Sequence, residues 1–232
     1  MASEQTIFIV EHDTAARELV AALAAYVRVK SQGYESGEDF LDGYDRARGG
    51  CLVAANQLPG MSGLELMDVM NHDGIRLPTI IISAFADVRL AVRAMHAGAV
   101  TLLEKPYRNQ ELWEAIRGAL ALDGRLRHQE SRLAQMRRQL AALTRDEQRV
   151  LECILAGKTN KDTSQELSVG LRTVQTWRHA LMVKLQVDSL AALIKTVTEA
   201  RLTLSTRDNE CAPPCSFANC VPSVRLAPIS TR

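Results

Sequence analysis

Two groups of side chains in this sequence have types and spacings that can do chemistry. The first is dispersed. Glu11-His12-Asp13, Ala55-Asn56, Ser83 and Glu104-Lys105 each stand at the end of a short apolar run. Brought together, carboxylates, a hydroxyl and an ammonium make a polar crevice, in which Lys105 can pair with Glu11 or with Asp13. The second group is compact. Arg172, Thr173, Gln175, Thr176, Arg178, His179 and Lys184 fall in one stretch, with Lys161 a little upstream. Gln can bond adenine through two hydrogen bonds, Thr can meet a thymine methyl, and His can donate to guanine or a phosphate. Arg, Lys and Thr173 suit phosphates, which position a protein on DNA without reading it. Neither group pairs a nucleophile with a base, so no catalysis, cofactor or metal is expected. Cys211, Cys215 and Cys220 have three and four residues between them and no His nearby, which misses the usual zinc spacing.

The elements that must position these residues differ between the two halves. Ile7–Val10, Cys51–Ala54, Thr79–Ile82 and Ala99–Leu103 are continuous apolar runs of strand length. Such runs suit strands covered on both faces of a parallel sheet. Val27-Arg28-Val29 is a weaker fifth candidate. Helical patterns lie between them, one running from Asp13 to Ala25, with Ser36, Ser62, Asp87 and Asn109 placed as caps. Alternation of this kind predicts an α/β doubly wound five-stranded parallel sheet, whose ligands gather at the carboxyl ends of the strands. Beyond it, Ala119, Leu126, Leu133 and Leu140 form one heptad row, and Leu122, Met136 and Leu143 a second, broken by Gln129. This spacing predicts a linker helix able to form a parallel dimeric coiled coil. Residues 143–199 read as four short helices. Thr144 and Glu147 form a capping box, Gly157 closes the first helix, and Thr159 or Asn160 opens the second. The turn Ser168-Val169-Gly170 joins it to the third, the pattern of a helix-turn-helix.

Charge sharpens the division. The chain has 232 residues and a formal net charge of +1, which taken alone argues against nucleic acid. Residues 1–122 hold 16 acids and 11 bases, whereas residues 123–202 hold 9 acids and 14 bases. An acidic module joined to a basic one is the expected reading, with double-stranded DNA as the partner of the second. No apolar run is long enough for a membrane span and the N-terminus lacks a secretory pattern, so reduced thiols and a cytoplasmic setting are expected. The organisation expected is 1–120, 121–142 as linker helix, 143–202, and a disordered tail at 203–232.

Pro59-Gly60-Met61-Ser62-Gly63, Ala97-Gly98-Ala99-Val100 and Glu104-Lys105-Pro106-Tyr107 resemble the receiver domain of two-component response regulators, nearest the FixJ-like subgroup. The resemblance covers about residues 5–120. It implies an acidic pair for Mg²⁺, an acceptor aspartate for a phosphoryl group, and a Ser/Thr and a Lys that contact that group. Ser83 and Lys105 match the last two. Glu11-His12 stand at the acidic pair, Ala55 at the acceptor, and Leu102 at the aromatic switch position. Ala55 has no carboxylate to phosphorylate, and an amide such as Asn56 is a poor nucleophile. Conventional phosphoryl switching is therefore not expected. The crevice has either drifted idle or become a phosphate-independent dimerisation or ligand-sensing module.

Leu143-Thr144, Glu147, Val150-Leu151, Ala156-Gly157, Asn160-Lys161, Arg172-Thr173-Val174, Lys184-Leu185 and Ser189-Leu190 resemble the LuxR-type DNA-binding domain. The two resemblances together imply a transcription regulator of the NarL/FixJ class. By that resemblance Gln175, Thr176 and His179 match base-reading positions. Lys161, Arg172, Thr173, Arg178 and Lys184 suit the backbone. Trp177 stands where the family usually has His, and either packs on the scaffold helix or touches DNA. The expected function is a dimeric, phosphorylation-independent DNA-binding regulator. The alternative is an adaptor whose receiver binds a sensor kinase or another regulator.

Overall fold

The structure, a computed structural model, describes residues 5–198. The tail expectation and its three cysteines lie outside the described residues. The chain divides into a unit ending at Arg132 and a second beginning at Leu133.

The first unit alternates β1 (Thr6–Val10), α1 (Thr14–Tyr26), β2 (Lys30–Tyr34), α2 (Gly37–Gly43), β3 (Gly50–Ala55), α3 (Gly63–His72), β4 (Thr79–Ser83), α4 (Val88–His96) and β5 (Thr101–Glu104). It closes with the first part of α5 (Asn109–Ala141). All strands are parallel, in the order β2-β1-β3-β4-β5. This is the five-stranded doubly wound sheet expected.

The continuous apolar runs have a direct cause. Phe8, Val10, Leu52, Ala54 and Ile81 face a core that includes Phe40, Leu66 and Met70. Ile7, Ile9, Val53, Ile80 and Ile82 face the opposite core, with Val20, Leu112 and Ile116. Every residue of β1, β3 and β4 is buried, because both faces of the sheet are covered.

The second strand differs from expectation. Val27 caps the end of α1, and Arg28 is left-handed at φ 59°. The strand begins only at Lys30. It is an edge strand with largely exposed or half-buried residues, so no apolar run marks it. The caps formed by Asp13, Ser36, Ser62 and Asp87 are present, and Ser62 with Glu65 completes a capping box. At Asn109 the helix begins, and Glu111 accepts the amide of Arg108 (3.2 Å).

The second unit contains the end of α5, α6 (Arg145–Leu155), α7 (Asn160–Leu167), α8 (Leu171–Lys184) and a helix α9 over residues 190–198. Its core gathers Met136, Leu143, Val150, Leu151, Ile154, Leu181, Leu185 and Val197. Thr144 and Glu147 form the capping box on α6, Gly157 is left-handed at φ 73°, and Thr159 rather than Asn160 caps α7.

Most of the heptad residues are packed within the chain, while Leu122 and Leu126 stay half-buried. Ala119 is fully buried in the receiver-side core. Leu133, Met136, Leu140 and Leu143 belong to the core of the second unit. Residues at a and d positions satisfied within the chain are not available to a partner helix. The repeat records two successive intramolecular packings on one helix.

Candidate functional site

The crevice is assembled by strand register. Val10 pairs with Ala54, so Glu11 arrives level with Ala55. Ala55 pairs with Ile82, so Ser83 stands one step beyond it. The amide of Lys105 donates to the carbonyl of Ser83 (2.8 Å). Glu11, Ser83 and Lys105 are thereby brought to one end of the sheet, as expected from sequence.

Of the two carboxylates open to Lys105, the structure selects Glu11. Lys105 Nζ lies 2.6 Å from Glu11 Oε2. Glu11 is 6% exposed, whereas the Lys105 side chain is 32% exposed, so the pair is buried on the carboxylate side. The other oxygen, Oε1, accepts the amide of Asp13 (3.3 Å) and lies 3.3 Å from His12 Nδ1. Asp13 is committed elsewhere, its Oδ1 accepting the amide of Ala15 (3.0 Å) as the cap of α1. Ser83 donates to the carbonyl of Phe85 (2.9 Å), and its Oγ accepts the Phe85 amide (3.2 Å). Ala55 contributes a buried methyl.

Sequence reasoning missed Arg17. Its Nη1 donates to the carbonyl of Glu11 (2.6 Å) and its Nη2 to Glu35 Oε1 (3.1 Å). It ties the loop after β1 to the loop after β2. A lone Arg on an amphipathic helix carries no signal of this role.

The second site is α7, the turn at 168–170 and α8. Ser168 adopts φ 54°, which ends α7 and turns the chain. Val174, Leu181 and Leu185 are buried and seat α8 on its unit. Gln175, Thr176 and His179 are exposed, as are Lys161, Arg172 and Thr173, while Arg178 is half-buried. Thr176 Oγ1 donates to the carbonyl of Arg172 (3.0 Å), so its hydroxyl is used locally and its methyl is left outward. Trp177 packs against the core of the unit, so of the two sequence readings packing is the one observed.

Lys184, expected at the DNA backbone, is paired within its own unit. Its Nζ lies 2.7 Å from Glu147 Oε1 and donates to Oε2 at 2.8 Å. Glu147 also accepts the amide of Thr144 (2.8 Å). Lys184 therefore ties the end of α8 to the start of α6, with its charge already paired. The hydrogen bond from Lys184, and next that from the Thr144 amide, hold the Glu147 carboxyl below its ordinary value. A depressed carboxylate stabilises the fold above its unfolded pKa of about 4.3, and that stability is lost as pH falls through the folded value. Thermal melts of the full chain are expected to show the second unit weakening below about pH 4.5. Glu147→Ala should lower its stability by about 1–2 kcal/mol at pH 7 and flatten the acid limb. An unchanged acid limb would refute the assignment.

A doubly wound sheet with a carboxylate–lysine crevice at its carboxyl end, followed by a helix-turn-helix unit, defines a receiver-linked DNA-binding regulator. Residues 7–117 match the response regulator receiver domain, and residues 141–197 match the LuxR family of bacterial regulatory proteins. The chain is 35% identical over 193 residues to the response regulator protein TodT of Pseudomonas putida, covering 83% of this chain and 85% of that one. It is 32% identical over 189 residues to the transcriptional regulatory protein FixJ of Azorhizobium caulinodans, covering 82% and 90%. Among solved structures, the response regulator StyR matches with a TM-score of 0.75 at 34% identity, over 84% of this chain and 99% of that one. Full-length FixJ from B. japonicum matches with a TM-score of 0.52 at 28% identity, over 86% and 98%. The chain belongs to the NarL/FixJ class of response regulators, DNA-binding transcription regulators with a receiver and a LuxR-type helix-turn-helix. Among the described residues, no helix is long and apolar enough to cross a membrane.

Proposed function

We propose that this chain regulates transcription as a homodimer whose receiver is not switched by aspartyl phosphorylation. The observation that carries the reading is Ala55 at the carboxyl end of β3, beside a Glu11–Lys105 pair of 2.6 Å. Phosphoryl transfer to a receiver needs a carboxylate nucleophile in line with phosphorus, and a methyl cannot supply one. A sensor kinase docked on this receiver meets no acceptor at that position.

The Mg²⁺ that the receiver family implies does not fit these residues. Mg²⁺ wants an octahedron of hard oxygen ligands. Glu11 Oε2 is taken by the Lys105 ammonium, Oε1 faces His12 and the Asp13 amide, and the Asp13 Oδ1 caps α1. The internal cation holds the position at which a metal would have to compete.

In this reading the receiver, more than the linker helix, carries the dimer contact. Phe85 just before α4, and Val88, Val92 and Met95 along it, lie exposed. Their spacing makes an apolar stripe along one side of the helix, the kind of surface that marks association. The reader is the exposed set Gln175, Thr176 and His179 for bases, with Lys161, Arg172, Thr173 and Arg178 for phosphates. Lys184 is left out because its charge is paired.

The test is incubation of the full chain with acetyl phosphate and Mg²⁺, followed by intact-mass measurement and sedimentation. The expected result is an unchanged mass and a dimer both before and after. A stable aspartyl phosphate in a receiver peptide overturns phosphate independence, and a concentration-independent monomer overturns the dimer.

A further inference from the structure

At the amino ends of β4 and β5, away from the carboxyl-end crevice of Glu11 and Lys105, the first unit holds a cavity of about 200 Å³. Its apolar wall comes from Met67 and Met70 on α3, Leu77 before β4, Val100 before β5, and Leu122 and Leu126 on α5. Met67, Met70 and Leu77 are buried members of the receiver core, whereas Leu122 and Leu126 are only half-buried. These two leucines are the heptad residues that neither core absorbs. Apolar surface left half-covered on both sides of a gap is a place where a compact apolar group gains burial. Methionine thioethers on one wall add a lining that adjusts to the shape of what enters.

Three polar side chains line the same cavity, of which Thr79 is spent on the carbonyl of Leu77 (2.9 Å). Asn71 donates its Nδ2 to the carbonyl of Ala97 (2.8 Å), which fixes its amide at the wall. Arg76 is exposed, lines the cavity, and makes no hydrogen bond or ion pair among the described residues. An unpaired guanidinium beside an apolar cleft suits a carboxylate, which it can grip with two parallel hydrogen bonds. Size narrows the class further. An apolar cavity of about 150 Å³ holds benzene, so this one has room for a single ring with a small substituent.

We propose that this cavity binds a compact organic monoacid of single-ring size, its apolar body between α3 and α5 and its carboxylate on Arg76. The site is separate from the Glu11–Lys105 crevice and does not depend on the phosphorylation state of the receiver. Because Leu122 and Leu126 belong to α5, occupancy would tighten that helix against the receiver sheet.

Benzoate is the probe, with benzamide as its uncharged counterpart, titrated into the full chain by calorimetry and by thermal melting. The expected result is saturable binding of benzoate that raises the receiver melting midpoint, with benzamide about tenfold or more weaker. Arg76→Gln, at an exposed position, should bring benzoate down to the level of benzamide. Leu126→Trp, which fills the gap, should abolish binding of both. Should Leu126→Trp fail to fold, the Arg76→Gln comparison decides alone. Absence of saturable binding by either probe overturns the site. Equal binding of benzoate and benzamide, or full benzoate affinity in Arg76→Gln, overturns the acid class.

Discussion

Replacing Asp123 with Ala is expected to destabilise the receiver unit by about 3–5 kcal/mol, the range for breaking a buried charge pair by removing one partner. The side chain is 1% exposed and serves three donors. Its Oδ2 accepts the buried amide of Gly50 (2.9 Å) and Gln5 Nε2 (3.2 Å), and its Oδ1 accepts Arg127 Nε (2.9 Å). Arg127 in turn reaches the carbonyls of Ala47 (3.2 Å) and Arg48. The carboxylate thus joins α5 to the loop that leads into β3. Glycines let that loop approach. A Cβ on Gly49 would stand 2.7 Å from Arg127 Nε, and one on Gly50 would stand 1.7 Å from the Thr6 carbonyl oxygen.

Truncation to Ala leaves the Gly50 amide without its acceptor in a site too enclosed for water to replace it, and removes the counter-charge of Arg127. Asp123→Asn keeps one acceptor and the shape, so it should cost less, about 1–2 kcal/mol. The check is denaturant-dependent hydrogen exchange on the full chain, read peptide by peptide. Protection should fall in β1, β3 and α5 up to residue 132, and stay unchanged in α6 to α8. A loss below about 1 kcal/mol in the Ala variant would contradict the latch.

Asp123 also shows where the sequence stopped being readable. It stands four residues before Arg127, a spacing that on any helix reads as a solvated ion pair. Nothing local marks the pair as buried, because the 47–50 loop that covers it lies far away in the chain. The same gap hid Arg17, whose partners are the carbonyl of Glu11 and the carboxylate of Glu35. Legibility was high where one local rule was enough. Strands β1, β3 and β4 announce themselves because burial on both faces demands unbroken apolar runs. The caps at Ser36, Ser62 and Thr144 follow from side-chain chemistry within three residues. The edge strand β2 failed for the converse reason, since little of Lys30–Tyr34 is buried.

The heptad repeat is the instructive intermediate case. Its period predicts a partner helix, whereas most of its residues pack against their own chain. Periodicity gives the face that must be buried, and says nothing about whether the covering surface belongs to the same chain. The crevice residues were legible as a set because the carboxyl ends of parallel strands converge by topology. The choice of Glu11 over Asp13 for Lys105 was not, because it turns on Asp13 being spent as a helix cap. Likewise the net charge of +1 conceals an acidic receiver and a basic reader, whose electrostatics act through their own faces.

Gln175→Ala is expected to weaken binding to the preferred operator by about 1–3 kcal/mol, or roughly 5- to 150-fold, while leaving non-specific binding almost unchanged. Gln175 is exposed near the start of α8, the end of a recognition helix that contacts base edges. It packs against nothing that its loss would disturb, because Val174, Leu181 and Leu185 seat the helix. Removing it therefore deletes base readout and spares the fold. Lys161→Ala should act in the opposite sense. A phosphate contact carries no sequence information, so affinity should fall for every DNA alike and the salt dependence should lose about one ion. Lys184→Ala supplies the contrast within the same helix. Its ammonium is held by Glu147, so it should lower the stability of the unit without changing the salt slope of the folded protein. Sites selected from a random DNA pool by the full chain, then titrated with each variant at several salt concentrations, separate the three outcomes. If Gln175→Ala weakens all sequences equally, Gln175 reads no base. If Lys184→Ala lowers the salt slope as Lys161→Ala does, the Glu147 pair opens on DNA and Lys184 returns to the phosphate-binding set.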